Sequence, residues 1–230
     1  MYIYMHHKQQ HKIDLSSLTK LPIPQGFTML GIDVSHHNGD INWEAVKVQG
    51  VTFAYIKATE GTILTDKHCS SNYHDAKEAG IKVGMYHFFR FREGGKEQAQ
   101  YFLDNITYQK GDLPPVIDIE YSCNNICNIS KQVVLDRIAR LKQFDSLVYC
   151  RLLIHPIIYT NKECYEHLIR NHFPDNDLWL CNLSAEPSEE EYPNWVIWQH
   201  SHKGTVVGIP AKVDMDVFYA DKEEFNTWLE

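Results

Sequence analysis

Apolar residues recur in short runs of four to nine along the chain, and between most of these runs they return at helical spacing. Met29 to Ser35, Val51 to Thr59, Lys82 to Phe89, Leu113 to Tyr121, Pro156 to Thr160 and Asp177 to Cys181 read as six strands bounded by Gly, Pro, Asn or Asp. Helices are expected between them. One is capped by Asn42 and stops at Gly50, one runs near Ser71 to Ala79, one near Lys96 to Leu103, a longer one is capped by Ser130, and a last one follows Asn161. In the longer helix Val133, Val134, Ile138 and Leu141 fall on one face. Five strand-helix units followed by a sixth strand predict a parallel α/β sheet. No Gly-rich phosphate loop follows the first strand, which favours a barrel over a doubly wound sheet.

After Cys181 the rhythm breaks. Trp195 to Gln199 and Val213 to Phe218 are strand-like, but neither preceding link reads as a helix. The expectation is an irregular (β/α)8-like TIM barrel with about five helices and helix-poor last strands, shorter than the ~250 residues typical of the fold. Residues 1–29, polar and interrupted by Pro22 and Pro24, read as an N-terminal extension before a single domain spanning 30–230.

Acids sit where strands end. The stretch Leu113-Pro114-Pro115-Val116-Ile117-Asp118-Ile119-Glu120 places Asp118 and Glu120 two apart on a strand, hence on one face. Two carboxylates so placed repel; in a partly buried site one is pushed up and the other down, which supplies an acid and a base together. Asp33 ends the first strand. Asp214 and Asp216 stand near the start of the last one, and if that strand runs antiparallel its start also faces the top of the barrel. Asp33, Asp118, Glu120 and Asp214 then converge on one mouth.

Composition narrows the function. The chain has 230 residues, 43% hydrophobic and 23% charged, with no run approaching a membrane span and no signal peptide visible at Met1 to Gln10. A net charge of −8 without a basic stripe argues against nucleic acid as partner. The thirteen histidines reverse that sign when fully protonated, so binding to any anionic polymer is expected to strengthen as pH falls through ~6.5. The six cysteines form no C-x-x-C pair; Cys123 and Cys127 bracket a short loop and are able to bridge, with unpaired thiols the default.

The motifs Gly-Ile-Asp-Val-Ser at 31–35, Ile-Lys-Ala-Thr-Glu-Gly at 56–61, Tyr-His-Phe at 86–88, Leu-Pro-Pro-Val-Ile-Asp-Ile-Glu at 113–120, Pro-Ile-Ile-Tyr-Thr at 156–160, Leu-Trp at 178–179, Trp-Gln at 198–199 and Val-Asp at 213–214 occur in one order. In that order the chain resembles the glycoside hydrolase family 25 lysozymes, the Chalaropsis-type N-acetylmuramidases. The resemblance implies an irregular barrel and hydrolysis, with retention, of the β-1,4 bond from N-acetylmuramic acid to N-acetylglucosamine in peptidoglycan. It implies Glu120 as general acid/base, Asp118 as nucleophile or as the group orienting the substrate's 2-acetamido arm, and Asp33 and Asp214 as the other two acids. Lys57, Tyr86, Tyr159 and Trp179 match positions at the cleft that contact sugar. No cofactor and no metal are implied; the partner is the peptidoglycan glycan strand, met outside the cytoplasm by a monomer.

Four departures stand out. Asp216 occupies a place where the family often has Asn, and adds a charge that pairs locally or raises a neighbour's pKa. Leu183 replaces a common rim Tyr, Asn38 replaces a frequent Gln, and Phe144 to His155 makes a longer link than usual. Two rival readings follow from the residues. A metal-dependent hydrolase built on Asp33, His36, His37, His87, His200 and Asp214 is opposed by the lack of an H-x-H or H-E-x-x-H pattern. A non-catalytic glycan-binding module, or a hydrolase of another N-acetylated glycan, is the other.

Overall fold

The computed structural model describes residues 13–120 and 130–229. Its strands are β1 (Met29–Val34), β2 (Val51–Glu60), β3 (Leu64–Thr65), β4 (Lys82–Phe88), β5 (Val116–Ile119), β6 (Ile157–Asn161), β7 (Leu178–Cys181), β8 (Trp195–Gly204) and β9 (Val213–Phe218). The helices are α1 (Trp43–Val48), α2 (Cys69–Glu78), α3 (Gly95–Asn105), α4 (Lys131–Leu152), α5 (Lys162–Cys164), which runs on as a π-turn over Tyr165–Ile169, and α6 (Lys222–Trp228). The strand order β1-β9-β8-β7-β6-β5-β4-β2, closed by pairing of β1 with β2, makes an eight-stranded barrel, with β3 a short hairpin arm on β2. Neighbours from β1 through β2, β4, β5, β6, β7 and β8 run parallel. β9 alone reverses, antiparallel to both β8 and β1.

Strand alternation divides the apolar residues into two cores. Leu30, Ile32 and Val34 of β1, Ala54 and Ile56 of β2, and Val213, Met215 and Val217 of β9 face outward under the helices. Met29, Phe53, Tyr55, Val116, Ile157, Tyr159, Trp179 and Phe218 fill the barrel. Two glycines make the filling possible. A Cβ on Gly31 would lie 2.2 Å from the Phe53 ring, and one on Gly84 would lie 2.2 Å from that of Tyr55.

The helix starts follow their caps: Asn42 Oδ1 accepts from Ala45 N at 3.0 Å, and Ser130 Oγ from Val133 N at 3.3 Å. The stretch after Phe144 is the continuation of α4 to Leu152, ended by Leu153 in the left-handed region (φ 59°). Six helices occur among the described residues, one more than expected. The extra one, α6, starts from a capping box of Asp221 and Glu224. It closes the bottom of the barrel with Phe225 against Phe53 (5.7 Å) and Phe218 (4.9 Å), while Trp228 Nε1 donates to Asp177 at 2.8 Å.

Among the described residues no helix lies in the chain between β7 and β9, and the N-terminal segment packs against the outer core there. Leu21, Ile23 and Phe27 pack on the outer core, with the Phe27 ring 5.6 Å from that of Trp198. Buried Gln49 clamps the loop before β9, donating to Val207 O at 2.8 Å and accepting from Val207 N at 3.1 Å. Cys123 and Cys127, with the histidines of the first twelve residues, lie outside the described residues.

Candidate active site

Parallel strands put their C-terminal ends at one face, and the reversed β9 begins there. Asp33 on β1 pairs in register with Asp214 on β9, Asp118 on β5 lies between Phe88 and Tyr159, and Tyr86 on β4 lies opposite Lys57 on β2. Asp33, Tyr86, Val116, Asp118, Tyr159 and Trp179 line one small cavity at this mouth. The fold therefore brings Asp33, Asp118 and Asp214 together. Glu120, the first residue past β5, joins them with part of its surface open.

Burial raises all four acids, so the expected split, one carboxyl pushed up and its partner down, does not occur. Burial, then the charges of Glu120 and Asp33, push the Asp118 carboxyl well above the ordinary range. Its Oδ1 is buried without a hydrogen-bond partner. Burial raises Glu120 as well, helped by Asp214 and opposed by His202 and Lys57. Asp33 is raised by burial, Asp214 and Glu120, and drawn back by hydrogen bonds from Gln199 and Asp216. Desolvation raises Asp214 too. Carboxyls raised in this way hold a proton more tightly than free ones, as a group that donates to a leaving oxygen must, and a cluster of acids favours a developing positive charge.

Gln199 is the hub beneath this cluster. Its Nε2 donates to Asp33 Oδ2 at 2.7 Å, and its Oε1 accepts from Tyr159 OH and His202 Nε2, each at 2.8 Å. Residue order made it visible only as half of a Trp-Gln motif. A Gln at an inward position of a strand is the signal that finds it.

Two of the predicted sugar contacts, Trp179 and Lys57, are enclosed by neighbours. Trp179 is 2% exposed, so it offers no open stacking face. It lies in the cavity floor, 4.8 Å from the Tyr55 ring and 4.9 Å from that of Tyr159, and its Nε1 donates to Asp216 Oδ1 at 2.9 Å. Lys57 is not a free cation: it pairs with Glu60 at 2.6 Å and sits 4.8 Å over the Phe88 ring. Arg90 lies 4.9 Å from the same ring and also pairs with Glu60. Tyr86 and Tyr159 keep their place at the cavity, with Tyr86 the more exposed of the two.

His36 and His37 lie with their rings 3.9 Å apart, but among the described residues the histidines weighed as metal ligands form no group of three with Asp33 or Asp214. His87 is buried on the helix side of the sheet, with Nδ1 2.7 Å from Thr59 Oγ1 and Nε2 3.1 Å from Gln98 Oε1, and burial holds it down to about 4. His36 pairs with Asp66 at 2.7 Å.

The profile described as glycosyl hydrolases family 25 matches residues 32–209. The chain belongs to that family. Among family 25 structures, that of a glycosyl hydrolase from Bacillus anthracis superposes with a TM-score of 0.83 at 32% identity, covering 94% of this chain and 99% of that one. Lysozyme M1 of Streptomyces globisporus is 35% identical over 82% of this chain and 67% of its own length. YegX, an uncharacterized protein of Escherichia coli, is 32% identical over 90% of this chain and 76% of its own. The family 25 assignment makes the acid-lined mouth that of a glycoside hydrolase.

Proposed function

We propose that this glycoside hydrolase is a lysozyme of the Chalaropsis type, a retaining N-acetylmuramidase that cuts the β-1,4 bond between N-acetylmuramic acid and N-acetylglucosamine in peptidoglycan. The observation that carries the reading is the pairing of a half-open Glu120, raised by burial, with a buried Asp118 whose Oδ1 lacks a donor. Glu120 gives its proton to the leaving glycosidic oxygen and, as a carboxylate, then takes one from water.

The cavity beside Asp118 is small, walled by Tyr86, Tyr159 and Trp179, with one unfilled acceptor. That chemistry complements an acetamido group, whose N–H satisfies Asp118 Oδ1 while its methyl rests on aromatic rings. An amide donor at Oδ1 favours the ionised carboxyl and steadies the charge that builds on the acetamido nitrogen as its oxygen attacks the anomeric carbon. This supports the substrate-assisted route over direct attack by Asp118. Asp33 and Asp214 keep the mouth at negative potential. The name of the Streptomyces relative supports the substrate, and the enzyme works on walls outside the cytoplasm, as a monomer without cofactor.

Digestion of purified peptidoglycan, with mass spectrometry of borohydride-reduced fragments, tests this. Muramitol ends are expected from the wild type and not from Glu120→Gln. Glucosaminitol ends, or cleavage by both proteins, overturn the reading.

A further inference from the structure

Asp216 is the most enclosed acid of the mouth, with 0% of its surface exposed. Its Oδ1 takes the Trp179 Nε1 hydrogen, while Oδ2 is buried and receives none from a protein donor. Its ladder partners do not help: Gly31 on β1 has no side chain, and Gln199 on β8 gives its amide hydrogen to Asp33. The titratable groups around it are Asp33 from β1, Asp214 from its own strand, Tyr55 from β2 and Cys181 from β7. His202, on β8, is turned to Gln199 and Cys181. Among the described residues no cation is found to offset the buried charge that an ionised Asp216 would carry. A carboxylate in that position lacks both a counter-ion and half its donors.

We propose that Asp33 and Asp216 share one proton at neutral pH, with Asp216 carried as the neutral acid whose Oδ2–H donates to the Asp33 carboxylate. Asp216 is thereby a positioning residue: Trp179 fixes one of its oxygens, the other holds Asp33, and Gln199 holds Asp33 from its second side. Asp33 stands opposite Asp214 and Asp216 opposite Gly31, so Asp33 and Asp216 are diagonal neighbours on one face of the ladder, and a hydrogen bond between two such carboxyls needs one of them protonated. Burial together with the Asp33 and Asp214 charges raises Asp216 well above the ordinary carboxyl range. An asparagine here offers the same two contacts, an oxygen to Trp179 and a hydrogen to Asp33, which is why the acid fits where the family often has the amide. The assignment concerns a protonation state and stands apart from the substrate reading.

Infrared difference spectra of the wild type and Asp216→Asn at neutral pH test it directly. The carbonyl stretch of a protonated, hydrogen-bonded carboxyl is expected in the wild type and lost in the variant; loss of a carboxylate band instead overturns the proposal. Denaturant titrations from pH 4 to 8 give a second readout. A folded acid held above its unfolded pKa binds more protons folded than unfolded, so it lowers stability as pH rises. Relative to the wild type, Asp216→Asn is expected to gain stability with pH, by up to about tenfold in unfolding constant per pH unit, the slope for one proton. A difference that does not change with pH overturns the sharing. The isosteric amide keeps both hydrogen bonds and hence the fold.

Discussion

Glu120 shows how placement alone raises the proton affinity of an ordinary glutamate. It stands one residue past a buried strand, so desolvation raises it, and the nearby Asp214 adds to the effect while Lys57 and His202 restrain it. The same placement costs stability. Raised folded-state acids contribute least at the pH where they are needed: their penalty is absent below an unfolded value of ~4.3 and grows as pH climbs toward the folded one. Glu120→Gln removes that penalty. It is therefore expected to melt at higher temperature than the wild type at neutral pH, with the gap closing toward pH 4, as calorimetry across that range will show. A gap that widened on acidification would contradict the raised acid.

At the scale of elements, the alternation of strand and helix was readable because the strands carry apolar stretches and several helices a side-chain cap, although α2 and α3 start without one. Asn42, Ser130 and Asn161 all accept backbone hydrogens where the sequence places them. The reversal of β9 was legible as a conditional, since two helix-free links permit an antiparallel return. What escaped reading was set by tertiary packing. The α6 capping box of Asp221 and Glu224 and its apolar Phe225 and Trp228 are local signals, yet their purpose, closing the barrel floor, depends on Phe53 and Phe218 far away in sequence. Trp179 looked like a sugar platform because a Trp at a strand end is ambiguous until its burial is known. Gln199 and Asp216 earn their roles from neighbours on other strands, which no single stretch displays. One element carries a correctable flaw: α4 ends on Leu153, left-handed and 76% exposed. Leu153→Gly is expected to stabilise the fold by about 1 kcal/mol in urea denaturation, because glycine relieves the αL cost and little packing is lost.

Across the whole molecule, charge and shape divide the work of meeting a cell wall. The net charge of −8 gives no bulk attraction to anionic polymers at neutral pH, so recognition there falls to the cleft. Protonation of surface histidines changes this balance, although His87, buried and held to about 4, takes no part. Sedimentation of the inactive Glu120→Gln protein with purified anionic walls is expected to increase as pH falls through ~6.5 at fixed salt, and a flat curve would remove the histidine contribution. The barrel is closed by β9 lying between β8 and β1, so Met29 meets Phe218 and Asp33 meets Asp214 across nearly the full length of the chain. Contacts of such long range form late, after the loop-closure cost of everything between them has been met. A ribosome-bound chain that has not yet released β9 holds Asp33, Asp118 and Glu120 but has neither Asp214 nor the wall of the mouth. The mouth is in this sense assembled by the last strand of the barrel, and no earlier stage of synthesis contains it.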